Sequence, residues 1–390
     1  MAKLNRWLLP EGVEEILPKQ AWQIEQFKRR TLDLYRSWGY ELVIPPLIEY
    51  SESLLIGMGT DMDVQSFKVT DQLSGRTLAI RADITPQTAR IDAHSYKQDG
   101  PTRLCYAGTV LHSKPKSQLA SRTPIEVGAE LYGDASVNSD IEVISLMLAT
   151  IKTAGIEKTH LDIGHVAIYR SLVAAAELSE DQQGLLFDAF DRRAKAEVEA
   201  ICATAKNADV AAMIVALIDL HGDSDVLAKA ASVLANAPAS VLEALAYLKA
   251  VVTKITAMFA ETPVYIDLAE LRGYDYHTGL VFAAYVEGIG HAVANGGRFD
   301  GIGEHFGRSR PATGFSANAK ALLSKIECPA KPGLILAPEM NGDAELEMAI
   351  QALRDKGEAV VRALAGMEVP ALCDKELVNE DGQWQVKSCK

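Results

Sequence analysis

The chain has 390 residues, enough for two or three domains of ordinary size and for a sizeable buried core. It carries 39 Lys and Arg against 52 Asp and Glu, a formal net charge of -13, with 48% hydrophobic and 23% charged residues. That balance excludes a disordered chain and argues against a basic nucleic-acid module. The opening MAKLNRWLLPEG lacks the charged, apolar and small-residue succession of a secretory leader, so a cytoplasmic protein is expected. The longest apolar run, 210–218, falls far short of the ~20 residues that cross a bilayer, and no membrane span is expected. The five cysteines (Cys105, Cys202, Cys328, Cys373, Cys389) never form a C-x-x-C pair, which argues against a disulfide framework or a zinc site.

Apolar residues at helical spacing predict an amphipathic helix over 19–38, closed by Gly39. A strand over 40–44 follows and is stopped by Pro45-Pro46. Further strands are expected over 66–70, 77–80, 104–111, 125–132 and 160–163, with a helix over 139–154 between the last two. From about 178 to 260 the sequence turns Ala-rich and repeatedly helical, broken near Lys206-Asn207, His221-Gly222-Asp223 and Asn236-Ala237-Pro238, and reads as a helical insertion. Strands return over 264–268 and 280–286, followed by a Gly-rich stretch, 288–307, and a helix over 316–325. A Pro-containing joint over 328–332 precedes a β-α-β unit: strand 334–337, helix 343–356 and strand 358–362. The expected organisation is a core domain, 1–327, interrupted by the insertion, and a small α/β domain, 328–390.

Local motifs exclude several chemistries. Gly301-Ile302-Gly303-Glu304-His305-Phe306-Gly307 has its third glycine one residue late for a dinucleotide loop and lacks the surrounding strand and helix. No G-x-x-x-x-G-K-[ST] loop is present, and no acidic pair leads into a Gly/Thr-rich loop that could cradle a phosphoribosyl diphosphate. The eight histidines are dispersed without an H-E-x-x-H pair, so no metal or other cofactor is implied.

Four segments carry the information: Ala79-Ile80-Arg81-Ala82-Asp83-Ile84-Thr85-Pro86-Gln87, Glu126-Val127-Gly128-Ala129-Glu130, Leu271-Arg272-Gly273-Tyr274-Asp275-Tyr276-His277 and Gly296-Gly297-Arg298-Phe299-Asp300. In order and spacing they resemble the class II histidyl-tRNA synthetase family over nearly all of 1–325, and 39–49 with its two prolines resembles that class's dimer-forming first motif. The resemblance implies an α+β fold with a six-stranded antiparallel sheet, flanking helices and a self-dimer.

Departures from the family concentrate at one end of the site. Where the second motif should hold an arginine and a glutamate toward ATP, this chain has His112 and Lys114. Where the third should read glycine-x-glutamate-arginine, it has Lys320 and Ala321. Replacing a fixed guanidinium beside the reacting phosphate by an imidazole costs adenylation ~3 kcal/mol or more. The amino-acid pocket survives better. The resemblance assigns to it Asp83, Thr85, Glu126, Glu130, Arg272 and Tyr276, with Tyr274, His277 and Phe299 altering its side-chain end. Taken singly, Asp83 and Glu130 read as ordinary ion-paired carboxylates, Arg272-Gly273 as a turn and Phe299 as core; their joint match points to a ligand.

Loss of the ATP end with retention of the pocket, together with the run Arg81 to Arg90 and the sequence RGYDYHTGLVF from Arg272 to Phe282, is similar to the regulatory subunits of short-form ATP phosphoribosyltransferase. That resemblance implies a non-catalytic chain that assembles with a short catalytic subunit into a hetero-octamer, activates it in the first step of L-histidine biosynthesis and confers inhibition by histidine. It also implies no tRNA partner, since 328–390 leaves a truncated tRNA-reading end. An active histidyl-tRNA synthetase and a stand-alone histidine-binding protein are the alternatives.

Overall fold

Alternation along five neighbouring strand pairs sets the architecture of the larger unit. The structure is a computed structural model that describes residues 7–56, 59–115, 120–274, 276–328, 333–339, 342–364 and 373–389. The chain divides into two compact units, Met1–Glu327 and Cys328–Lys390. Strands of the first are β1 (Glu41–Leu42), β2 (Ile48–Tyr50), β3 (Phe67–Thr70), β4 (Thr77–Ile80), β5 (Thr102–Thr109), β6 (Ile125–Tyr132), β7 (His160–His165), β8 (His221–Gly222), β9 (Val264–Asp267), β10 (Leu280–Tyr285), β11 (Ala294–Arg298) and β12 (Ala312–Asn318). Nine of them form one sheet in the order β1-β5-β6-β12-β11-β10-β7-β9-β8, and β2-β4-β3 form a small antiparallel one. The six from β5 to β7 are antiparallel to their neighbours, and β1 and β9 extend them with parallel pairings.

Side chains alternate across a strand, so each sheet strand gives one face to the core. Val127, Ala129 and Leu131 of β6, Phe315 and Ala317 of β12 and Phe282 and Ala284 of β10 pack with Ile24, Phe27, Tyr35, Ile144, Met147 and Ile151. The last six belong to two helices, Pro18–Ser37 and Val137–Thr153, which cover that face. Tyr35 meets Phe315 edge to face at 6.1 Å. Burying this apolar layer is the main stabilisation of the unit. The other face of the same strands carries small and polar residues and is the subject of the next subsection.

Between β7 and β9 the chain forms a helical block, including Glu180–Asp191, Lys195–Cys202, Ala208–Leu217, Val226–Val233 and Ala239–Met258. Its first helix is fixed by a capping box in which Ser179 and Gln182 exchange side-chain-to-backbone bonds. Where the chain leaves β11, Arg298 is buried against Asp140, with Nη2 donating to Oδ1 at 3.0 Å and Nε to Oδ2 at 3.2 Å; the Tyr247 hydroxyl of helix Ala239–Met258 donates to the same carboxylate at 2.6 Å. No helix among the described residues is long and apolar enough to cross a membrane.

The second unit has strands β13 (Leu334–Ala337), β14 (Ala359–Arg362), β15 (Cys373–Glu380) and β16 (Gln383–Ser388) in the order β14-β13-β15-β16. Helix Ala344–Asp355 contributes Leu346 and Ile350 to a core with Ile335, Ala337, Val360 and Leu377. The expected joint falls on 329–332, outside the described residues.

Two expectations change. The helix expected over 316–325 is absent: 312–318 is β12, paired on both sides with β6 and β11, and residues 319–324 turn. Ladder bonds on two edges hold 316–318 extended, and the remaining 319–325 close only short turns, such as Leu323 N–H to the Lys320 carbonyl at 3.2 Å. Strand β11, within the Gly-rich stretch, and the β15–β16 hairpin were not anticipated from the sequence.

The Asp140–Arg298 pair is 0% and 7% side-chain exposed, so removing one partner strands the other charge. Asp140→Ala is expected to cost about 3–5 kcal/mol in urea denaturation followed by far-ultraviolet circular dichroism. Asp300→Ala, which removes the half-exposed second partner of Arg298, is expected to cost under about 1 kcal/mol.

Candidate functional site

Strand β6 places Glu126, Gly128, Glu130 and Tyr132 on the face of the sheet turned away from the two covering helices, because they lie two residues apart. Glu130 pairs in register with Gly314 of β12 and Leu104 of β5, and Glu126 with Asn318 and Gly108. Between the two acids Gly128 makes room: a Cβ there would lie 2.4 Å from Cζ of Tyr106, the residue opposite it, and 2.6 Å from the Phe315 carbonyl.

Above this row stands the segment that joins β4 to helix Thr85–Arg90. Asp83 accepts from the Thr85 backbone N–H at 2.7 Å, an Asx-type turn that opens the helix. One helical turn on, Thr88 donates its hydroxyl to Glu130 at 2.6 Å, and Tyr132 donates to the same oxygen. Arg81 is buried, donates to the carbonyls of Pro45 (2.8 Å) and Thr109 (3.0 Å), and faces Glu126.

Glu130 is 1% exposed. Burial drives its pKa up, bonds from Thr88, Tyr132 and Thr85 partly offset this, and the nearby Asp83 carboxylate adds to the rise, leaving it at about 7. The third wall comes from the loop between β9 and β10. Tyr276 is held neutral to high pH by burial and by the carboxylates of Asp83, Glu126 and Glu130, with Arg272 opposing. Arg272 donates to the Tyr285 hydroxyl at 2.9 Å and pairs with Glu270 at 3.3 Å. Asp83, Thr85, Glu126, Glu130, Arg272 and Tyr276 are therefore brought together over one patch of sheet.

Three expected pocket residues are placed elsewhere. Tyr274 turns its ring to Tyr169 (5.6 Å between centroids) and Phe187 (5.3 Å), under the guanidinium of Arg170 at 4.7 Å. His277 is 4% exposed, donates from Nδ1 to the Arg298 carbonyl at 3.3 Å, and is kept neutral by burial, its pKa lowered to about 3. Phe299 packs in a cluster with Ala89, Leu104, Tyr132, Ile302 and Ala312. His277 and Phe299, with ring centroids 6.5 Å apart, stand behind the wall that Tyr132 and Tyr276 form. Sequence reasoning missed Thr88 and Tyr132. Tyr132 was detectable two residues beyond Glu130 on the same strand face, and Thr88 one turn beyond Thr85.

At the other end, of the positions expected as a degenerate ATP site, His112 and Lys320 are engaged within the chain. His112 is buried, with Nε2 3.1 Å from the Ala82 carbonyl, and its backbone is paired with Arg122. Lys114 is exposed. Lys320 donates to Glu14 (2.7 Å), Thr123 (2.8 Å) and Ser121 (3.3 Å). Against a desolvation cost, the bonds from Lys320 and Ser121 hold the Glu14 carboxyl below its usual range. Arg122 donates from its backbone to the Gly12 carbonyl at 2.7 Å and from Nη1 to the Glu11 carbonyl at 3.1 Å. Segment 11–14 is thereby laid against the positions that an adenylating enzyme would turn to ATP. Lys320 and Ala321 also line a cleft of about 500 Å³ with Lys19, Gln20 and Gln23.

Comparison with known proteins decides the family. The histidyl-tRNA synthetase family model matches residues 12–322, and a model described as the ATP phosphoribosyltransferase subunit HisZ C-terminal domain matches residues 332–387. An ATP phosphoribosyltransferase regulatory subunit of Pseudomonas putida is 52% identical over 392 residues, covering 99% of both chains. The chain belongs to the ATP phosphoribosyltransferase regulatory subunit family. A solved structure titled as an ATP phosphoribosyltransferase regulatory subunit/histidyl-tRNA synthetase from Bacillus halodurans superposes with a TM-score of 0.81 at 26% identity, covering 94% of this chain and 96% of that one. A histidyl-tRNA synthetase from a Nostoc species, at 18% identity and a TM-score of 0.75 over 98% and 97% of the two chains, shares the fold.

Because the folded pKa of Glu130 lies above its ordinary 4.5, the folded state holds an extra proton between about pH 4.5 and 7, and stability falls as pH rises through that window. The loss amounts to on the order of 3 kcal/mol by pH 8. Glu130→Gln is expected to remove this fall and to exceed the parent's stability at pH 8, measured by urea denaturation at several pH values. A parent and variant with parallel pH profiles would mean that Glu130 is not held protonated.

Proposed function

We propose that the chain is a non-catalytic regulatory subunit that binds L-histidine over β6 and reports it to a short-form ATP phosphoribosyltransferase catalytic subunit. In this reading it assembles with that subunit into a hetero-octamer, activates the first step of histidine biosynthesis, and turns the activation down when histidine accumulates. One observation supports the reading: the carboxylates of Asp83, Glu126 and Glu130 share one face with a tyrosine and an arginine near them, while His112 and Lys320, two of the positions assigned to a degenerate ATP end, are engaged within the chain.

The chemistry of the patch suits a free amino acid. Asp83, Glu126 and Glu130 supply negative charge for an ammonium, and Arg272 supplies a guanidinium for a carboxylate. Thr85 and Tyr276 offer polar atoms for an imidazole. Of the residues that resemblance placed in the pocket, His277 and Phe299 would act by backing its wall, whereas the Tyr274 ring turns away from it. On the nucleotide side, Lys320 neutralised by Glu14 and His112 enclosed beneath Arg122 leave no fixed guanidinium pair for a reacting phosphate, so no aminoacylation is expected.

The two compact units suit a synthetase-like core with a helical insertion over about 178–260 and a small C-terminal domain over 328–390. A self-dimer fits the exposed apolar side chains around β1: Ile44 is 87% exposed and Leu42 50%.

Reconstitution with a short catalytic subunit tests the reading. Asp83→Ala and Arg272→Ala are expected to raise the histidine concentration for half-inhibition at least tenfold, as loss of one partner of a charge pair costs about 2 kcal/mol or more. Activation without histidine is expected to stay within about twofold. Inhibition curves that coincide for parent and variants would refute the pocket.

A further inference from the structure

The loop between β9 and β10 faces two ways. Arg272 and Tyr276 point into the carboxylate patch, whereas Tyr274, between them in sequence, points into the helices. Its ring lies against Phe187 of helix Glu180–Asp191 and Tyr169 of helix Val166–Ala175, and Tyr169 in turn packs on Phe190 at 5.0 Å. Arg170 closes the arrangement: its guanidinium lies over the Tyr274 ring, and Nη2 donates to the carbonyls of Tyr274 (2.6 Å) and His277 (3.1 Å). At the root of the loop, Asp267 at the end of β9 is ion-paired with Arg193, just beyond the same helix Glu180–Asp191. Helix Glu180–Asp191 thus meets the loop through Phe187, and the turn just beyond it is ion-paired to the end of β9.

The described residues of the loop are held by tight backbone bonds. Gly273 has φ +64°, and a Cβ there would come 2.5 Å from His277 Cδ2. Its carbonyl accepts from the backbone N–H groups of both Tyr276 (3.1 Å) and His277 (2.8 Å), while the Leu271 carbonyl accepts from Tyr274 (2.9 Å). The Leu271–Tyr274 turn ties Arg272 to Tyr274, and Arg170, bonded to the carbonyls of both Tyr274 and His277, ties the Tyr276–His277 end to the same point. Arg272 has cause to move: in this structure it is engaged by Glu270 and Tyr285, and a ligand carboxylate would compete for the same guanidinium.

We propose that the described residues of this loop, 271–274 and 276–279, are the coupling element of the chain, in which Arg272 and Tyr276 register the occupant of the pocket and Tyr274, clamped by Arg170, passes the change to helix Glu180–Asp191. The inference rests on the histidine-binding reading and adds the route by which the pocket acts on the rest of the chain. Contiguous packing supplies the route, and differential affinity of the ligand for two placements of the loop supplies the coupling. Tyr274 and Arg170 are positioning residues here, since neither touches the ligand.

Tyr274→Ala and Arg170→Met separate coupling from binding, and Arg170, half exposed, can be replaced even where the aromatic truncation does not fold. Histidine binding is measured by calorimetry on the isolated full chain, inhibition on the reconstituted assembly, and hydrogen exchange of helix Glu180–Asp191 with and without histidine. Each variant is expected to bind histidine within about threefold of the parent while needing at least tenfold more for half-inhibition, with the histidine-dependent exchange change at the helix lost. Tyr274→Phe, which keeps the ring stacking, is expected to restore both. Equal changes in binding and inhibition, or an unchanged exchange response in Arg170→Met, would overturn the coupling. A parent chain that does not bind histidine at all would instead overturn the pocket reading, and the coupling with it.

Discussion

Glu130 is the constraint around which the larger unit is arranged. A carboxylate in the middle of a sheet face, 1% exposed, is costly to bury unless its lone pairs are met or its proton is kept. This chain does some of each. Thr88 and Tyr132 donate to it, which fixes helix Thr85–Arg90 against the sheet, and Tyr132 links it to the cluster around Phe299. Asp83, brought close by the turn that opens the helix, keeps Glu130 near the pH at which a cationic ligand could displace its proton. A structural acid would be better served by an arginine beside it. Asp83 and Glu130 share that face with Glu126, which Arg81 faces, and in the proposed function a ligand's ammonium would add positive charge to the group.

The same sheet face is treated differently at its two ends. Toward Glu130 and Arg272 it keeps polar groups with capacity for a ligand. Toward His112 and Lys320 two cations are engaged within the chain, Lys320 with Glu14 and the Arg122 guanidinium with the carbonyls of Glu11 and His112. Under the proposed function, segment 11–14 would meet cationic groups at that end of the sheet that bound nucleotide would meet in an adenylating enzyme. This division fits the proposed role of a sensor with a retained pocket and no chemistry of its own, within a family whose fold is that of the histidyl-tRNA synthetases.

Much of this was legible in the sequence because strands with two-residue alternation and helices with regular apolar spacing announce themselves. β6, with acids at 126 and 130 and apolar residues between, showed both its conformation and its face, and helices Pro18–Ser37 and Val137–Thr153 were found to within a few residues. Strand β11, Ala294-Asn295-Gly296-Gly297-Arg298, has no β-branched residue and is extended only because β10 and β12 pair with it on both sides. β12 leads into an Ala- and Leu-rich stretch that favours a helix in isolation. The β15–β16 hairpin did carry a signal: Asp381-Gly382, both at positive φ, is the tight turn that right-twisted strands prefer. In the site, the period of β6 puts Glu126 and Glu130 on one face, whereas their assignment to a pocket with Asp83 came from the family resemblance. Tyr274 could not be placed by period, since a loop has none, and only the packing of Phe187 and Arg170 decides which way its ring turns.

The account stands on histidine being held by a chain that cannot activate it. The most direct measurement is a titration of histidine into the isolated full chain with and without ATP and magnesium, by calorimetry, with exchange of labelled pyrophosphate into ATP followed in the same mixtures. The account predicts saturable histidine binding that ATP leaves unchanged, and no exchange above the rate without protein. Histidine-dependent pyrophosphate exchange, or binding that appears only with ATP, would contradict it.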